Sequence, residues 1–266
     1  MNAVPPDSRK AGWPVYRYFT VVMACSAPLW LVAFITDREL LPGLPASSLM
    51  VFVPGLVALV LVALSDGRTQ ARIWLRRAFK LPRPFPLGWF GLALALPAVI
   101  MFAAYLSMRL LGYELPAFEI SATSAVTLLA LFLIPAVFEE LGWSCFALVA
   151  LIRRMSALSA SLIIGIVWAT WHVIPLIQAE RAFDWIVWWC LTTVALRVLL
   201  TWIFNNTSRT VIAVALFHAA ENVAWQSFPV SGSHYDPAIH SLCLWLVCAA
   251  VIARFGWRTL TRNVRN

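Results

Sequence analysis

Pro135-Ala-Val-Phe-Glu139-Glu140-Leu-Gly-Trp-Ser-Cys-Phe-Ala-Leu148 decides how this chain is read. Two adjacent carboxylates lie inside an apolar run from about Ala122 to Ile152. A carboxylate at membrane depth costs roughly 2.5–3.5 kcal/mol on insertion scales, so a pair calls for an explanation. His172 and the pair His218/Asn222 also lie within apolar runs. With the glutamates they read as a buried hydrolytic site.

The composition around this stretch agrees with a membrane setting. Of 266 residues, 62% are hydrophobic and 12% are charged. A soluble domain of this size could hardly hide so much apolar surface, whereas spanning helices expose it to lipid. The expected fold class is therefore all-α: a polytopic membrane protein, a bundle of about eight transmembrane helices with a buried polar cavity. The net charge of +8 sits mostly between the apolar runs. That is a topology signal and not a nucleic-acid stripe, so membrane lipid is an expected partner and nucleic acid is not. Cys25, Cys145, Cys190, Cys243 and Cys248 lie in apolar runs without metal-type spacing and read as small buried hydrophobes.

Hydropathy places the spans at about 18–36, 47–64, 88–111, 122–146, 158–177, 185–204, 210–228 and 239–253. With the N-terminus inside, sixteen of the twenty Lys and Arg residues fall on cytoplasmic segments and three (Arg38, Arg109, Arg181) outside, while Arg197 lies within a span. This asymmetry predicts an integral protein of a bacterial inner membrane with both termini cytoplasmic. Between the second and third spans, Arg68, Arg72 and Arg76 recur every fourth residue. They suit either an interfacial helix against anionic headgroups or a solvated loop. The chain divides into residues 1–121 with three spans and the basic loop, a core at 122–228 with spans four to seven, and 229–266 with the last span and a basic tail.

Depth along the helices permits one shared site. Glu139 precedes Arg153 by about 20 Å, and His218 follows Arg209 by about 13 Å, at 1.5 Å per residue. His172 lies about 27 Å past Arg154, less whatever the turn takes up. Trp168 and His172 share a helical face, as do His218 and Asn222, with Glu221 on the flank. Adjacent glutamates point about 100° apart, so one can face a cavity while the other bonds a neighbouring helix. Trp143, Trp168 and Trp171 are expected as cavity walls or packing.

Glu139-Glu140 followed by Leu-Gly-Trp, Trp168-x-x-x-His172 and His218-x-x-x-Asn222 resemble the three motifs of the CPBP intramembrane proteases, also called the CAAX-processing or Abi family. The usual forms are Glu-Glu-x-x-x-Arg, Phe-x-x-x-His and His-x-x-x-Asn, and the likeness covers about residues 125–228. It implies cleavage of a peptide bond of a membrane-associated or lipidated protein or peptide. In eukaryotic relatives the substrate is a prenylated protein that loses its last three residues. By the same resemblance Glu139 would activate a water with help from His172, while His218 and Asn222 would stabilise the oxyanion. Glu140 belongs to the same motif. The family has also been described as zinc-dependent, and Glu139, His172 and His218 could supply three ligands with an open position.

Two positions depart from the motifs. Trp168 replaces phenylalanine, and Ser144 stands where the motif has arginine, four residues after Glu140 and in reach of an ion pair. Serine cannot supply that charge. Arg197 is the expected replacement, paired with Glu140 or Glu221, and the other reading has it snorkelling to an interface. Without a replacement cation the chain would be a non-catalytic scaffold or immunity protein. A small transporter is a further reading of midplane acids, but no inverted repeat supports it.

Overall fold

The computed structural model describes residues 15–36, 39–41, 44–117 and 121–261. Arg38 and the basic residues Arg9, Lys10, Arg262 and Arg265, all counted in the charge asymmetry, lie outside the described residues.

Nine helices carry the architecture among the described residues: α1 Val15–Thr36, α2 Ala46–Asp66, α3 Arg68–Ala78, α4 Leu87–Leu110, α5 Ala122–Leu151, α6 Ala157–Gln178, α7 Phe183–Asn206, α8 Val211–Gln226 and α9 Pro237–Phe255. A two-stranded antiparallel ladder joins Glu39–Leu41 to Leu44–Pro45. Seven of the helices are long and apolar enough to cross a membrane. The protein is an all-α polytopic membrane protein.

Local chemistry sets several helix starts. Ser121 accepts from Ser124 N at 3.0 Å, Ser156 from Ser159 N at 3.0 Å and Asp236 from Ala238 N at 2.8 Å. Each side chain satisfies an amide that the first turn leaves without a partner. Pro28, Pro97, Pro135 and Pro175 lie inside helices, where neighbouring helices compensate the lost amide.

The seventh expected span differs from the others. α8 has only 16 residues, about 24 Å of rise against a hydrocarbon core of about 30 Å. Most of it is buried, packed between α4, α5 and α7. A helix enclosed by protein does not have to match the bilayer thickness. α7 is the other interior helix, packed on α6 and α9. α1, α4 and α5 turn Phe34, Ile35, Leu110 and Leu131 outward, as lipid contact requires.

The expected span at 122–146 also changes: α5 continues to Leu151, with a π-helical segment at Leu141–Leu148. The cysteine reading needs correction as well. Cys145 and Cys248 are buried, but Cys25 is exposed and Cys190 and Cys243 are half-buried. A thiol facing lipid meets an apolar medium, so hydropathy alone did not separate the two places.

α3 is helical where the sequence allowed either a helix or a loop. Ala71, Trp74 and Ala78 are buried and Arg68, Arg72 and Arg76 exposed, and the helix packs on α2. Thr210 Oγ1 donates to the Ala78 carbonyl at 3.2 Å, which ties the end of α3 to the start of α8.

Candidate active site

Glu139 and Glu140 close the regular part of α5, just before its π-helical segment. Such wide turns are frequent at functional sites. Two glycines bring the backbones of α2 and α5 together here. A Cβ on Gly55 would stand 2.5 Å from the Phe138 carbonyl oxygen. One on Gly142 would stand 2.6 Å from the Pro54 carbonyl carbon and would also strike the Tyr18 hydroxyl. Only hydrogen fits in either place, so the glutamates are walled in by backbone on that side.

The two carboxylates have different partners. Glu139 is 4% exposed and its Oε2 accepts from Trp168 Nε1 at 2.7 Å. Among the described residues no hydrogen bond reaches its Oε1. Glu140 is fully enclosed and both its oxygens are taken. Arg197 donates to Oε2 at 2.8 Å and to Oε1 at 3.0 Å. His218 Nδ1 lies 3.1 Å from Oε1, and the Ser144 hydroxyl donates to Oε2. Arg197, with no exposed side-chain surface, therefore pairs with Glu140 and neither with Glu221 nor with an interface. Ser144, the departure from the motif, belongs to the same network, since Arg197 also donates to its Oγ at 3.3 Å.

Trp168 is the hub of the cluster. Its ring centroid lies 5.7 Å from that of His172 and 5.2 Å from that of His218, with the Arg197 guanidinium 4.3 Å above its face. Read from the sequence as a wall, it is also a donor to Glu139. The signal for that was its indole N–H, which the motif's usual phenylalanine lacks. Trp143 and Trp171 pack edge to face at 5.7 Å, and Trp171 Nε1 donates to Ser26 at 2.8 Å.

His172 Nδ1 lies 2.9 Å from the Trp168 carbonyl. A carbonyl only accepts, so Nδ1 carries the proton and a neutral ring presents a lone pair at Nε2. Asn222 is half-buried, one turn after His218. Glu221 turns away from the cluster: its Oε1 is 3.4 Å from His240 Nε2, without hydrogen-bond alignment. His240 Nδ1 is bonded to the Tyr235 hydroxyl at 2.8 Å.

The donor set does not gather as a metal centre. Among the described residues no group of three or more His, Cys, Asp or Glu side chains is arranged to hold a metal ion. Of the residues named for zinc, His172 and His218 each use Nδ1 for a hydrogen bond, to a carbonyl and to Glu140, and leave Nε2 open.

An apolar cleft of about 430 Å³ opens between α4, α5 and α8, lined among others by Met101, Phe102, Leu129, Ala220 and Val223. It begins half a turn past His218 on α8 and contains none of the charged residues of the site.

Comparison with known proteins falls on the same region. Residues 121–224 match the family of type II CAAX prenyl endopeptidases, Rce1-like. CAAX prenyl protease 2 of Methanococcus maripaludis is 26% identical over 259 residues, covering 88% of this chain and 92% of its own. The matched segment contains both glutamates, Trp168, His172, Arg197, His218 and Asn222. Over its site-bearing helices the chain is therefore similar to the CAAX protease family of intramembrane endopeptidases.

Proposed function

We propose that the protein hydrolyses a peptide bond near the C-terminus of a prenylated, membrane-associated protein or peptide, with Glu139 as the base that activates water. One observation carries this reading. Glu139 is held through one oxygen by Trp168, while its other oxygen is left for a water beside the two imidazoles that pack edge to face with that indole. The name of the archaeal relative supports the prenylated substrate. So does the apolar cleft along α8, which offers an isoprenyl chain a seat beside the site.

Glu139 Oε1 takes one proton from the water, and His172 Nε2 accepts a hydrogen bond from the other. The hydroxide oxygen bonds to the scissile carbonyl carbon as the π electrons move to the carbonyl oxygen. A protonated His218, steadied at Nδ1 by Glu140, donates from Nε2 to that oxyanion, and the Asn222 amide gives a second donor. On collapse the C–N bond breaks, and the leaving nitrogen takes the proton held by Glu139. Glu140 cannot share the base role, because every strong donor around it already occupies its oxygens. No step runs through a metal.

The test is Glu139→Gln in purified, reconstituted protein, with tripeptide release from a farnesylated CAAX peptide followed by mass spectrometry. Loss of a positioned base lowers the rate by about 10²–10⁴-fold, and the variant should insert and unfold as the parent does. Undiminished cleavage by the variant would overturn the assignment of the base.

A further inference from the structure

The cation that neutralises Glu140 comes from outside the glutamate helix. Arg197 stands on α7, 57 residues further along the chain, and reaches Glu140 in a two-pronged pair enclosed by protein. Residue 144, one turn past Glu140 on α5, is a serine that both donates to Glu140 and receives from Arg197 at 3.3 Å. The guanidinium therefore ends where a longer basic side chain at 144 would end.

The packing fits this arrangement. Opposite Arg197, α6 carries Gly165, where a Cβ would stand 3.0 Å from Val194 Cα and 3.3 Å from Arg197 Cβ. That glycine lets α7 approach closely enough to deliver the guanidinium. The same guanidinium also lies on the Trp168 ring, whose N–H holds Glu139.

We propose that Arg197 is the positioning residue of the site, with its charge transposed from α5 to α7. It fixes Glu140, which sets the His218 ring through Nδ1, and it steadies Trp168, which aims Glu139. Arg197 has no exposed side-chain surface and acts through these two groups. The inference rests on the hydrolytic reading above for its kinetic consequences, but not for its structural ones.

The experiment compares Arg197→Ser, Arg197→Lys and the transposed pair Arg197→Ser with Ser144→Arg, all in the full chain in proteoliposomes. Arg197→Ser should lose on the order of a hundredfold in kcat, as expected for misplaced catalytic groups, with KM changed less than threefold. Arg197→Lys should keep only part of the activity, because an ammonium cannot bridge both oxygens. The transposed pair should regain at least tenfold over Arg197→Ser. A transposed pair that folds but is no more active than Arg197→Ser overturns the proposal, as does an Arg197→Ser variant with parental kcat.

A second readout does not need turnover. The ¹⁵N resonance of His218 Nδ1, assigned with His218→Gln, should shift in Arg197→Ser and return in the transposed pair. If the parent itself cleaves no prenylated peptide, the function fails while this resonance still decides the positioning role. A resonance that does not respond to Arg197→Ser sinks the positioning role whatever the activity.

Discussion

Glu139 and Glu140 are neighbours of one chemical type with opposite surroundings. Glu140 is saturated by a guanidinium, an imidazole and a hydroxyl. Glu139 has a single indole donor. Removing one partner of an enclosed ion pair leaves the other charge without compensation, at a cost of about 3–5 kcal/mol. Glu140→Gln should therefore lower thermal stability in detergent strongly, while Glu139→Gln should shift it by less than about 1 kcal/mol. Adding Arg197→Met to Glu140→Gln should recover much of the loss, since an apolar replacement of both partners is often neutral or better. Equal destabilisation by the two glutamate variants would show that this division of partners is wrong.

At the scale of elements, the bundle depends on helices that touch backbone to backbone. Gly142→Ala would push a methyl group into Pro54 and the Tyr18 hydroxyl. Overpacking of this kind costs typically 1–3 kcal/mol. Gly91 lies on α4, where a Cβ would meet nothing within 4 Å, so Gly91→Ala should be neutral or slightly stabilising by helix propensity. Thermal unfolding of the two variants side by side tests this contrast.

α3 makes a different prediction. Arg68, Arg72 and Arg76 are exposed on its face away from Trp74. Near its end Arg209 is held below its usual pKa by burial and by Arg153, a crowding that an anionic headgroup would relieve. Replacing Arg68, Arg72 and Arg76 together with Gln should weaken the preference of the reconstituted protein for anionic over zwitterionic lipid. Juxtamembrane basic residues contribute about 1 kcal/mol each to such attraction. Unchanged lipid selectivity, read by native mass spectrometry of co-purified lipid, would remove α3 from this role.

At the scale of the whole molecule, the site lies deep between α5, α6, α7 and α8, and among the described residues no three His, Cys, Asp or Glu side chains are arranged to hold a metal ion. Hydrolysis should accordingly continue in 1,10-phenanthroline, and the active protein should carry metal well below one equivalent by elemental analysis. Inhibition reversed specifically by added zinc would contradict the metal-free steps.

Much of this architecture was legible in the sequence, for a physical reason. Hydropathy and charge act residue by residue, so apolar runs, basic loops and the cost of a buried carboxylate can be read along a single chain. The membrane class, the approximate spans, and the placing of Glu139, Glu140, His172, His218 and Asn222 within apolar helices follow from that alone. Other features depend on which helices lie side by side. Pairing Arg197 with Glu140 joins residues 57 apart, and pairing His218 with Glu140 joins residues 78 apart. Those distances are set by glycine contacts at Gly55, Gly142 and Gly165 and by the enclosed short helix α8, which periodicity does not encode. The sequence offered Arg197 two glutamates, and only the packing of α7 against α5 chose between them.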